Sequence, residues 1–187
     1  MTDPPAVDPA ALHTPHPIDA GWIGDVLDTH IDGARVASIT VVPVGTGQVA
    51  SAFRINVDYV QRPPSAPTSF VLKCPSPDPA TRHGASQSRS YEVEVLFYQL
   101  VAPTIDVRVP RCWAAEWDAK TGRFALLLQD ASPNEPGDQL TGLTIEQART
   151  AVRQLAVLHA AFWGRSGEDD LSWVRRRPER DRAEMRA

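Results

Sequence analysis

Residues 51–59 alternate strictly, with Phe53, Ile55, Val57 and Tyr59 on one face and Arg54, Asn56 and Asp58 on the other. A period of two fits only an extended strand with one buried face. The β-branched run Val36 to Val44 precedes it, and Gly45 and Gly47 sit between the two as a flexible turn. Phe124-Ala125-Leu126-Leu127-Leu128 has no polar position, which predicts a central strand buried on both faces. Its hairpin partner is 111–117, across the loop Asp118 to Arg123. Ser69 to Cys74 makes a fifth strand, set off by proline-rich breaks at 61–68 and 75–84.

Helices are fewer. Asp19 caps a short one, in which Trp22, Ile23, Val26, Leu27 and His30 share a face, and Gly33 ends it. Ser88 to Leu100 reads as a second helix with Tyr91, Val95 and Tyr98 inward. Thr144 and Gln147 form a capping box for a third that reaches about Trp163, where Gly164 stops it. Its apolar stripe is Ala148, Val152, Leu155, Ala156, His159 and Phe162, with His159 expected as a packed structural histidine. Strands in one block beside a few helices give an α+β domain.

A hydrophobic share of 42% supports a true core, and a net charge of −4 from 19 basic and 23 acidic side chains points to neither nucleic acid nor membrane as partner. No apolar run approaches the ~20 residues of a membrane helix, and the first residues lack the pattern of a signal peptide. Cys74 and Cys112 stand in no ligand spacing and read as reduced thiols, so a cytoplasmic location is expected. Residues 1–17 are rich in Pro and Ala without hydrophobic period, which predicts a flexible tail, and 175–187 a charged frayed one.

Lys73 ends the apolar strand Phe70-Val71-Leu72. A charge there either reaches water at a strand end or needs a partner, because burying an unpaired ammonium is costly. Glu92 and Glu94, on the following helix, compete for that role. The glycine turn can bring backbone N–H groups close to a polyanion, since Gly45 and Gly47 carry no Cβ. Gln129 to Ser132 follows the central strand and precedes a long helix, where a hinge belongs.

These pieces resemble the aminoglycoside phosphotransferase and choline-kinase-like superfamily. They are Val44-Gly45-Thr46-Gly47 with Ser51, Phe70 to Lys73, Glu94 to Tyr98, Val109 to Cys112, Leu126 to Asp130 and Leu155 to Trp163. The last looks most like the ecdysteroid-kinase-like branch. The resemblance implies a protein-kinase-like small lobe: a five-stranded antiparallel sheet with one αC-type helix, a hinge, and the start of a helical large lobe that is otherwise missing. It divides the chain into tail 1–17, small lobe 18–128, hinge and linker 129–143, first large-lobe helices 144–174 and tail 175–187. It implies ATP as cofactor, held by Gly45, Thr46, Gly47, Ser51, Lys73, Glu94, Gln129, Asp130 and Ala131, with Lys73 on the phosphates, Glu94 as its ion-pair partner and 129–131 as the adenine hinge. The acceptor would be a small-molecule hydroxyl of unknown identity.

The chain departs from that family in two respects, the first being that Gln129 stands where an acid is expected before Asp130. The His-x-Asp loop, its asparagine and the second metal-binding aspartate are absent, and His159 is followed by Ala160-Ala161. No catalytic residue and no metal ligand is therefore assigned, and magnesium enters only if a large lobe is supplied. The expectation is a truncated small-molecule kinase, inactive alone, with possible self-association through the exposed face of 144–163. The alternative is a non-catalytic module, derived from a kinase lobe, that binds nucleotide or protein.

Overall fold

The computed structural model describes residues 5–45, 47–134, 137, 140–165 and 171–174. Five strands form one sheet: β1 (Arg35–Pro43), β2 (Ala50–Gln61), β3 (Ser69–Pro75), β4 (Cys112–Asp118) and β5 (Arg123–Gln129). Their order is β1-β2-β3-β5-β4, and every pairing is antiparallel. The all-apolar run 124–128 therefore becomes β5, an interior strand buried along that run. The β4–β5 turn is tied by Asp118, which accepts from Lys120 N–H at 2.9 Å and from the Thr121 hydroxyl at 2.6 Å.

Each face of the sheet has its own helical cover. Helix α1 (Ala20–Asp28) is capped by Asp19, which accepts from Trp22 N–H at 2.8 Å, and it buries Ile23, Val26 and Leu27. Those residues cluster with Ile55, Phe70, Leu72, Trp113, Ala125 and Leu127. The opposite face, with Phe124, Leu126 and Leu128, packs against Tyr91 and Val95 of α3 (Ser90–Leu96). The α1 helix stops at Asp28 rather than at Gly33, which instead turns the chain into β1 with φ +78°.

Several expectations need correction. The break at 75–84 contains a helix, α2 (Pro79–Gln87). Pro79 opens it, because the first helical turn needs no N–H from that position, and Asp78 caps it through Thr81 N–H at 2.7 Å. The helix expected over 88–100 is shorter: Arg89 takes a left-handed φ of +55° before α3, and Phe97–Val101 widens into a π-turn.

The described part of the N-terminal tail is packed. Val7 N–H donates to Val41 O at 2.8 Å, Pro9–Ala11 forms a 3-10 turn, and Thr14 is buried. His16 bonds Glu116 of β4, which also accepts from the Trp22 indole N–H at 3.2 Å. The bonds from Val7 to Val41 and from His16 to Glu116 span 34 and 100 residues, so no local period announces them. The second tail, 175–187, lies outside the described residues.

Two compact units are present: the described residues of Met1–Thr104 with Arg108–Gly142, and those of Ile105–Val107 with Leu143–Ala187. The second contains α4 (Ile145–Ala161), with the expected capping box between Thr144 and Gln147. None of its residues is buried, and Ile145, Val152 and Leu155 expose their side chains. His159 is exposed as well, not packed. Thr144→Ala should cost this helix about 1 kcal/mol, read as lost helicity on heating. Among the described residues, no helix is long and apolar enough to cross a membrane.

Candidate functional site

Antiparallel register places Lys73 of β3 opposite Ala52 of β2 and Leu126 of β5. Directly opposed residues share a face, and Leu126 belongs to the cluster under α3. The Lys73 side chain therefore leaves the sheet toward α3, where its ammonium donates to the Glu94 carboxylate. The two side chains are 30% and 29% exposed, so the pair is open to a ligand as well as to water. The competition between the two glutamates is resolved by Arg89, whose guanidinium clamps both oxygens of Glu92 at 2.7 Å.

The glycine turn closes over the β1–β2 end of the same unit. Gly45 has φ +72°, and a Cβ on Gly47 would overlap the Ala50 carbonyl oxygen. The chain can fold back this tightly only without a side chain at 47. Thr46 lies outside the described residues. Ser51 is brought less close: it opposes Cys74, one position out of step with Lys73, and so points to the other face.

Tyr91 ties these parts together, and sequence reasoning gave it only a packing role. Its hydroxyl donates to Val49 O at 2.7 Å and accepts from Ser76 N–H at 3.3 Å. Its ring lies 4.7 Å from that of Phe124. One side chain thus fixes the helix carrying Glu94 to the end of the glycine turn and to the end of the strand carrying Lys73. Tyr91→Phe should keep the packing and lose about 1 kcal/mol of stability in a denaturant titration. Tyr98 is near the same helix face; burial first, then the negative charge of Glu94, pushes its hydroxyl up to about 12.

The expected hinge, 129–131, is held by both backbone and side-chain bonds. Gln129 N–H donates to Arg111 O at 2.7 Å, and Ala131 O accepts from Asn134 N–H at 2.9 Å. The Asp130 carboxylate accepts from Arg54 Nε at 2.7 Å, Ser69 Oγ at 2.8 Å and Ser132 N–H at 3.0 Å. Burial pushes this carboxyl up, but the donors, Arg54 foremost, outweigh it and hold it below the usual aspartate range. A depressed folded value means stability that is present above the unfolded value and is lost as pH falls through the folded one. Acid unfolding of Asp130→Asn should therefore be flatter than that of the parent below the ordinary aspartate range. At neutral pH the variant should be less stable by about 1–3 kcal/mol.

Chemically, the arrangement offers a fixed cation, an acid that orients it and a turn with free backbone approach. That set can hold a polyphosphate. Among the described residues, no three His, Cys, Asp or Glu side chains converge as a metal-ligand set. Residues 45–165 match the family model described as "Ecdysteroid kinase-like family". No curated protein and no solved structure matches the chain.

Proposed function

This chain belongs to the ecdysteroid kinase-like family, and on that premise we propose that it is the nucleotide-binding part of an ATP-dependent phosphotransferase acting on a small-molecule hydroxyl. The observation that carries this reading is the Lys73–Glu94 pair between β3 and α3. Lys73 Nζ holds the phosphates, Glu94 keeps that ammonium in place, and the Gly45–Gly47 turn approaches the same phosphates through its backbone. Residues 129–131 border the adenine. Bound ATP supplies the transferable phosphoryl group. The donor set suits the nucleotide; its two carboxylates, Glu94 and Asp130, are engaged by Lys73 and by Arg54, and neither is given a role on magnesium or as the base.

Isothermal titration with ATP tests the reading. We expect saturable binding that Lys73→Ala weakens, with no ADP release on addition of hydroxyl acceptors to the chain alone. Absence of ATP binding, or equal affinity in the variant, would overturn the nucleotide assignment. Acceptor-dependent ADP release would place a catalytic base within this chain.

A further inference from the structure

A cavity of about 450 Å³ opens at the end of the sheet where β3 begins and β5 ends. Its wall includes Arg62, Ser69, Arg111, Trp113, Asp130 and Ser132. It lies four residues along β3 from Lys73, about 13 Å at strand rise. The volume falls in the range of small-molecule sites.

The wall carries a surplus of donors. Neither Arg62 nor Arg111 has a carboxylate partner among the described residues. Asp130, the one acid in the wall, is already engaged by Arg54, Ser69 and Ser132. The indole N–H of Trp113, which is 7% exposed, has no acceptor among the described residues. That N–H is itself shielded from solvent, so the indole reports on the wall beside Arg111 and is not counted as a donor open to the cavity.

The donors are also held in place. The Arg111 guanidinium lies over the Trp113 ring, its Cζ 3.9 Å from the ring centroid. Arg62 Nε donates to Ala66 O at 2.9 Å, and the Tyr59 hydroxyl pins the same loop through Pro67 O at 2.6 Å. Ala66, within that loop, is buried. The loop therefore presents Arg62 from a fixed wall.

We propose that this cavity binds a small organic oxyanion, through a phosphate or carboxylate group shared between Arg62 and Arg111. The site is separate from the Lys73–Glu94 pair and does not depend on the nucleotide reading. It touches the 129–132 segment through Asp130, so an occupant would contact the segment assigned to adenine.

The test is a titration with inorganic phosphate and, separately, with citrate, at ionic strength held constant with chloride. The readout is the Trp113 indole ¹H–¹⁵N resonance, assigned by its loss in Trp113→Phe. We expect a saturable shift in the intact chain and in Lys73→Ala. Binding should be about tenfold weaker in Arg62→Ala and in Arg111→Ala, the cost of one charge-assisted contact. Arg62→Lys and Arg111→Lys, which keep the charge and stem, should bind with intermediate affinity and serve where an alanine variant does not fold. A phosphate response without a citrate response, or the reverse, names the preferred group and supports the site. No saturable shift with either anion would overturn the proposal. So would a shift that persists at full affinity without the arginines, or one that disappears with Lys73.

Discussion

Phe124→Ala should remove about 3–5 kcal/mol from a domain whose total stability is on the order of 5–15 kcal/mol. Phe124 is fully buried, sits at the start of β5, and stacks against Tyr91. Truncation would lose the transfer energy of the ring and leave a cavity under α3. The damage should reach the site, because Tyr91 also holds Val49 O and Ser76 N–H. The midpoint of urea unfolding gives the stability, and ATP titration of the folded fraction gives the local effect. A loss under about 1 kcal/mol would mean that α3 closes over the gap and that its position is less fixed than these contacts imply.

The sheet was largely legible because its strands carry their burial in their own composition. The alternation in 51–59 reports one buried face, and the unbroken apolar run 124–128 reports two. Antiparallel neighbours joined by short turns then leave few ways to order the strands. The α2 helix was missed for a local reason. Pro79 breaks a helix interior but starts a helix well, and Asp78 two residues before Ala80 was the signal that distinguishes the cases. The N-terminal segment was missed for a long-range one. Its residues dock on β1 and β4, and nothing in their own spacing records those partners.

Within the site the same division holds. A lysine at the end of an apolar strand demands a partner, so Lys73 and a helical glutamate could be paired from sequence. Choosing between Glu92 and Glu94 needed the position of Arg89, whose left-handed backbone turns it onto Glu92. The Tyr91–Val49 bond spans 42 residues and the Arg54–Asp130 pair 76. Both link side chains to partners that register alone brings near. Ser51 pairs with Cys74, one step of strand parity from Lys73, and that single step decides the face on which its side chain emerges.

Lys73→Ala should weaken ATP binding between about tenfold and a hundredfold, the value of one charge-assisted contact of about 1.5–3 kcal/mol. Glu94→Ala should weaken it less, since Glu94 orients the ammonium but would not itself touch phosphate. Both side chains are near 30% exposed, so neither variant leaves a fully buried charge and both should fold. The double variant separates the roles. If Glu94 acts only through Lys73, removing it from the Lys73→Ala background changes affinity no further, and the two effects are non-additive. Additive losses would mean that Glu94 reaches the nucleotide independently. An improvement on removing Glu94 alone would mean that its negative charge mainly repels phosphate, and that Lys73 finds the ligand without an orienting partner. The chemistry of the pair favours the first outcome, because a free lysine stem has several rotatable bonds to fix and the carboxylate fixes them before the ligand arrives.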